Sequence, residues 1–319
     1  MAGSASAAGP GARPDDQATV DAAKQEGGSV TFYSSAVSLV LDDVLNAFKN
    51  QYGITVDASR VVTGVVNQRF TAENQAGKVV ADVIANTDNS FLDQASSSNW
   101  LMNLATLPSF VDWPKQFFMT TYAVLSYQGV GIAWNTSLVP EGLTAWSDLL
   151  NPKYRGQIAL SDPHSGAASM ANFVFFRQVY GDDWLRQLAT QNFRVLDSSV
   201  TVAQQVAAGA VAIGFPMPHT SLAPMTDQGA PVADTVPSPT IGAYTYAAAA
   251  ANAPHPNSAR LLMNFLAKRD TQKLINKQAS SPIPNLEGTI PGPTDIRQPD
   301  VVEAARQDKE ISALLGLGT

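Results

Sequence analysis

The apolar positions of this chain change period in a regular way. Four short apolar runs each end in a turn rich in Ser, Thr or Gly that opens into a helix-periodic segment. They are 30–33 before Ser34-Ser35, 54–62 before Thr63-Gly64, 81–84 before Asp88-Asn89-Ser90, and 158–160 before the turn from Ser161 to Gly166. After the first run, Val37, Val40, Leu41, Val44, Leu45 and Phe48 fall on one stripe at helical spacing, which predicts an amphipathic helix. Gly53 ends it. A second helix starts at Thr63, with Val66 and Phe70 inward and an Arg69/Glu73 pair outward, and stops at Gly77. Strands and helices alternating in this order predict parallel pairing with right-handed crossovers.

Further along, 122–135 reads as a long strand interrupted by Gly129, which suits a bend between two bodies. A second α/β block over about 131–236 contains helices at 144–150, 165–180, 182–191 and 199–208. Its strands are 158–160, 193–196 and 210–215, the last closed by Pro216. The run 243–250 carries the chain back to the first body, two helices follow at 257–268 and 271–277, and a last helix spans 299–314. A short helix from Asp15 to Ala23 is expected to begin the ordered part. The expected organisation is a disordered tail at 1–16, lobe one at 17–125 with a return at 238–285, and lobe two at 126–237. A C-terminal segment, 286–319, is expected to pack on lobe two. There is no internal repeat of the solenoid kind.

Composition narrows the function. A chain of 319 residues, 45% hydrophobic and only 15% charged, can bury one large or two medium cores. A formal charge of −7, with no Lys/Arg run longer than two, argues against nucleic acid or an anionic membrane as partner. The absence of Cys removes disulfides, thiol catalysis and zinc-thiolate sites. No segment reaches the ~20 apolar residues that span a bilayer. The first sixteen residues are small and polar without an apolar core. They read as the stub left by a removed export signal or membrane anchor, or as a disordered arm.

The chemistry on offer is recognition rather than turnover. A strand that stops where a helix starts leaves backbone N–H groups beside side-chain hydroxyls. Several such ends facing one crevice would form a neutral polar socket for a small anionic or polar solute. The residues after Thr63 and after Ser165 include no first-turn acid, which favours an anion by about 0.3–1 kcal/mol at each helix start. No P-loop, nucleophile elbow, zinc-protease or dinucleotide fingerprint occurs. The rival class, an enzyme on the same two-lobed architecture, therefore has no candidate catalytic group. Of three histidines, His164 and His219 fall at expected cleft edges and His255 at a helix start; two imidazoles without a carboxylate or thiolate nearby make a poor metal site, so no metal and no cofactor is expected.

At this point the residues resemble a known family, the extracytoplasmic solute-binding proteins of ABC importers, in the branch that contains the ferric-iron-binding proteins. The likeness rests on the first strand through Ser35, on Ala81-Asp82-Val83 after Gly77-Lys78, and on the segment 129–135. It continues through Asp162-Pro163-His164-Ser165-Gly166, Gly181-Asp182-Asp183-Trp184, the segment 208–213, Gln228-Gly229-Ala230-Pro231-Val232, and His255-Pro256 with the helix behind it. These landmarks cover about 28–278 in the family's order.

The resemblance implies a type II fold of two α/β lobes, mixed sheets flanked by helices, with a ligand cleft that closes like a hinge. It also implies an extracytoplasmic, monomeric protein that hands its ligand to ABC permease subunits and meets the membrane only through them or through a removed anchor. Under it, Ser34, Ser35, Thr63, Gly64 and Ser90 line lobe one, while Ser165, Gly166, Ala167 and His219 line lobe two. Tyr127 and Tyr246 come from the crossing segments. The sequence departs from the ferric pattern: the first turn reads Ser34-Ser35-Ala36-Val37, the second Thr63-Gly64-Val65-Val66, and the segment after Phe215 gives Pro216-Met217-Pro218-His219 with no Tyr pair. A hard trivalent cation needs anionic oxygen ligands. The expected solute is accordingly a carboxylate, phosphonate or similar oxyanion, with iron or a metal chelate as the alternative.

Overall fold

The computed structural model describes residues 9–39, 41–165, 167–293 and 295–317, and in it the alternating periods become a mixed α/β fold. The strands are β1 (Ser29–Ser34), β2 (Thr55–Arg60), β3 (Val83–Asn86), β4 (Ala123–Asn135), β5 (Ile158–Ser161), β6 (Arg194–Leu196), β7 (Ile213–Pro218), β8 (Val232–Thr235), β9 (Thr240–Ala249) and β10 (Ile296–Arg297). The helices are α1 (Gln17–Gln25), α2 (Asp42–Tyr52), α3 (Thr63–Gln75), α4 (Asn89–Ser97), α5 (Ala167–Tyr180), α6 (Asp182–Ala189), α7 (Ser199–Ala207), α8 (His219–Asp227), α9 (Pro256–Leu266), α10 (Arg269–Ile275) and α11 (Val301–Leu314). The chain divides into two units. Unit 1 is Met1–Tyr127 with Tyr244–Pro291; unit 2 is Gln128–Ala243 with Gly292–Thr319.

In unit 1, β1 lies between β2 and β3, parallel to both, and β3 pairs antiparallel with β9. All four residues of β3 are buried, as expected of a strand covered on both faces. Helix α9 packs on α1, β1 and β3. It has no side-chain cap of its own, and Glu26 supplies one by accepting from Asn257 N (3.0 Å) and Ser258 N (2.9 Å). The segment before α1 differs from the expected disordered tail. Residues 1–8 lie outside the described residues, but Arg13 pairs with Asp112 at 2.8 Å. Asp15, on the same segment, accepts from Tyr52 (2.6 Å), Asn264 and Lys268. Charged side chains, not apolar ones, tie this segment down, so hydropathy gave no sign of it.

In unit 2, β5 lies between β6 and β7, parallel to both, and β7 pairs antiparallel with β4. Strand β8 flanks β4, and β10 flanks β9. The core gathers Trp146, Phe173, Phe176, Trp184 and Phe215 under α5 and α11. Gly131 lets β8 approach closely, since a Cβ there would sit 2.1 Å from Thr235 O. The parallel triplet and its antiparallel neighbour recur in both units, β2-β1-β3-β9 in one and β6-β5-β7-β4 in the other.

Several element boundaries depart from the sequence pattern. The helix expected from Val37 begins at Asp42, after a 3-10 turn at Val37–Leu39, and Val40 lies outside the described residues. Asp42 and Asp43 stabilise that later start, and Leu41 ahead of them is extended. The helix expected over 144–150 is a 3-10 segment, Trp146–Leu150, because the Asp148 carboxylate accepts from Thr144 N and Ala145 N at its entry. The strand expected to close at Pro216 instead starts at Ile213 and runs through Pro218, where its pairing with β4 is irregular between Gly131 and Ala133. Helix α8, directly after it, was not anticipated.

Candidate functional site

In each unit the side chains of interest stand at the carboxyl ends of the parallel strands. In both triplets the first crossover runs outward from the central strand and the next returns past it. The crevice beyond the central strand is thus a topological switch point, where open α/β sheets bind ligands.

In unit 1, Ser34 ends β1 fully buried, and its Oγ both donates to Ala36 O (3.0 Å) and accepts from Ala36 N (3.1 Å). Its hydroxyl closes its own turn. Ser35 is different. Its backbone N donates to Ala85 O on β3, and its Oγ accepts from Thr63 Oγ1 at 3.0 Å. Thr63 opens α3, and its Oγ1 also lies 3.3 Å from Thr87 Oγ1. A row of three hydroxyls therefore links the exits of β1, β2 and β3. Beside it, Asn67 donates to Asp88 (2.9 Å) and Asn86 donates to Asn67 (2.8 Å). Asp88 caps α4 at Phe91 N (3.1 Å). Gly64 and Ser90 are exposed at the two helix starts, and a Cβ on Gly64 would meet nothing within 4 Å. Thr87, Asn67 and Asn86 were missed by sequence reasoning. Their signal was the position of Asn86 and Thr87 directly after an apolar strand.

In unit 2, Ser165 ends a 3-10 turn, Pro163–Ser165, so the helix expected from Ser165 begins at Ala167 instead. The exposed Ser165 Oγ donates to Asp162 O (2.7 Å), which holds the chain in the turn, and lies 2.9 Å from Ser169 Oγ. Gly166 lies outside the described residues, and Ala167 is the first residue of α5. Past β6 and β7, Ser199 Oγ on α7 and Ser221 Oγ on α8 are 3.0 Å apart. Gln128 donates to Thr220 (3.2 Å). None of these residues was singled out from the sequence, because their helices are not predicted to start side by side.

The histidines separate by environment. His255 is held by the fully buried Asp82, which accepts from its backbone N (2.7 Å) and faces its Nδ1 at 2.9 Å. His164 joins Asp162 to α11, with Nδ1 3.2 Å from Asp162 and Nε2 2.9 Å from Ser312 and 3.3 Å from Asp308. His219 opens α8 with Nδ1 2.9 and 3.1 Å from the two oxygens of Asp234. All three thus have a carboxylate partner, contrary to the sequence expectation. Among the described residues, however, no group of three or more His, Cys, Asp or Glu is placed to hold a metal ion. The hydrogen bond to Asp234 raises the His219 pKa above its ordinary value, against the opposing effect of burial.

Tyr127 and Tyr246 are buried, not displayed. Tyr127 stacks on Phe117 (5.0 Å between ring centroids) and meets Tyr244 edge-on, while Tyr246 meets Tyr122 and Tyr244 edge-on. Burial pushes the Tyr127 hydroxyl up. These rings form a buried aromatic cluster in unit 1.

Comparison with known proteins supplies the family. The family described as bacterial extracellular solute-binding protein matches residues 30–278. Three solved structures share the fold. A substrate-binding protein of an ABC transporter from Agrobacterium tumefaciens is 18% identical, with 92% of this chain and 95% of that one covered and a TM-score of 0.62. A Bordetella ferric binding protein is 20% identical, with 90% and 98% covered and a TM-score of 0.64. The periplasmic binding protein AfuA from Actinobacillus pleuropneumoniae, solved with fructose-6-phosphate, is 19% identical, with 91% and 97% covered and a TM-score of 0.53. At these identities the likeness is one of fold. Among the described residues no helix is long and apolar enough to cross a membrane.

Proposed function

The chain belongs to the bacterial extracellular solute-binding protein family, and on that premise we propose that it captures a small oxyanion and delivers it to an ABC permease. The family and its structural neighbours are transport binding proteins, not enzymes. Hinged closure of the two units on the solute is the mode the resemblance implies. The observation that carries the anionic reading is the character of the strand exits. Among the described residues, six helices follow parallel strands, and five of them, α3, α4, α5, α7 and α8, have no acid in the first turn. Acids do begin α2, α6, α10 and α11, while α1 and α9, which follow no strand of the parallel triplets, also lack them. Helix starts without a first-turn acid beside Thr63, Ser165, Ser199 and Ser221 favour an acceptor-rich, negatively charged solute, although the Asp88 carboxylate already caps α4.

Neighbours of the same fold bind ferric iron in one case and a sugar phosphate in another. The first-turn residues here supply hydroxyls where a bare ferric ion would need anionic oxygen. An oxyanion, free or as the carrier of a chelated metal, is therefore the preferred reading. A thermal-shift screen over carboxylates, phosphonates, sugar phosphates, sulfate, ferric ion and ferric citrate tests it. Binding at a hundredfold excess over Kd would add about 2.7 kcal/mol to stability. Stabilisation by oxyanions supports the reading, and stabilisation by bare ferric ion alone would overturn it.

A further inference from the structure

We infer that His219, oriented by Asp234, is the proton-dependent donor that selects an anion in unit 2, so that solute capture weakens as pH rises; this rests on the oxyanion reading above. Asp234 on β8 faces Nδ1 of His219 with both oxygens, at 2.9 and 3.1 Å, and each side chain is 20% exposed. A carboxylate at Nδ1 fixes the tautomer: Nδ1 keeps its proton whether the ring is neutral or charged, and Nε2 alone changes state. Among the described residues Nε2 has no hydrogen-bond partner, whereas both ring nitrogens of His164 are engaged; His255 belongs to unit 1, where Asp82 holds its Nδ1. The protonated ring therefore presents Nε2–H as a charged donor at the start of α8. The neutral ring presents a lone pair, which repels an oxyanion.

The surroundings leave this switch nearly undisturbed. The elements packed on α8 are α7, β7 and β8. Neither α7, with sequence SVTVAQQVA, nor β7, with sequence IGFPMP, carries a titratable group. Asp234 on β8 and Asp227 at the far end of α8 are the charges that face the ring. Both favour the imidazolium, in keeping with its raised pKa. The hydroxyls of Ser199 and Ser221, 3.0 Å apart where α7 and α8 begin, are neutral at every relevant pH. His219 is thus the proton-dependent donor of this strand exit, and Asp234 is its positioning residue.

The test uses the full chain and two probes of constant charge, sulfate and lactate, titrated calorimetrically between pH 5.5 and 8.5 (roughly spanning the range in which an imidazole changes charge). If only the imidazolium form binds, Kd rises about tenfold per pH unit above the His219 midpoint, the limit for one linked proton. His219→Gln should bind more weakly at low pH and lose the pH dependence. Asp234→Asn should shift the midpoint down while retaining a slope. Nitrogen-detected imidazole spectra of the free protein should show the neutral ring protonated at Nδ1 in wild type. Binding that is independent of pH, a slope that persists in His219→Gln, or a neutral ring protonated at Nε2 would overturn this inference and leave the oxyanion reading standing. Failure of sulfate, lactate and every oxyanion of the thermal-shift screen to bind at any pH would overturn both.

Discussion

Replacing Asp88 tests whether the hydrogen-bonded ring of Asn86, Asn67 and Asp88, closed by Asp88 N donating to Asn86 Oδ1 (3.0 Å), is built as described. Asp88 does two things at once. Its Oδ1 accepts from Phe91 N at 3.1 Å and caps α4, a helix with no first-turn acid to substitute for it. Its Oδ2 accepts from Asn67 Nδ2 at 2.9 Å, and Asn67 in turn holds the fully buried Asn86 at 2.8 Å. Loss of a cap costs about 1 kcal/mol, and a hydrogen bond to a charged acceptor about 1.5–3 kcal/mol, towards the lower end here because Asp88 is partly solvated. Asp88→Ala should therefore lose about 2–3 kcal/mol. Asp88→Asn keeps the cap but opposes one amide to another at Asn67, and should lose about 1 kcal/mol. Urea unfolding followed by circular dichroism gives the stability, and hydrogen exchange at the Phe91 amide reports the cap itself. An alanine variant within about 0.5 kcal/mol of wild type, with Phe91 as protected as before, would refute the reasoning.

Thr63→Val removes the link between Ser35 and Thr87 at constant shape; oxyanion affinity should fall by about tenfold, one hydrogen bond's worth, with stability unchanged, as read by calorimetry. Glu26 gives a pH prediction. Burial alone would raise its pKa, but the bonds from Asn257 and Ser258 outweigh it and the pKa lies below the ordinary value. Its contribution is thus complete above the unfolded-state carboxylate pKa and is lost as pH falls through the lower folded value. The stability gap between wild type and Glu26→Gln, measured by urea titration, should be widest near neutrality and close in acid. Phe176→Ala should cost about 3–5 kcal/mol, because this fully buried ring packs 4.7 Å from Trp146 and 4.9 Å from Trp184. Loss of the near-ultraviolet signal of those tryptophans is the readout.

The periodicity of apolar residues carried most of the fold by itself. Val66 and Phe70 lie buried on α3, and the apolar run through Ile84 forms the buried strand β3. Burial of one face is a property that neighbouring residues already encode. The hydroxyls at the strand exits were legible for the same local reason, since a Ser or Thr marks the place where a strand gives way to a helix.

Which of those hydroxyls remains available was not legible. Ser34 and Ser35 are adjacent and chemically identical, yet one closes its own turn and the other meets Thr63, 28 residues away. The sequence likewise could not pair His219 with Asp234, bring Ser199 to Ser221, or foresee that Tyr127 and Tyr246 turn inward. Nor did it reveal that the two units repeat one strand order, because strand pairing depends on backbone hydrogen bonds and not on side-chain identity. The local pattern decides what most segments are, though not α8 or the 3-10 segment Trp146–Leu150. Only long-range packing decides which side chains meet, and the chemistry of the site lies in those meetings.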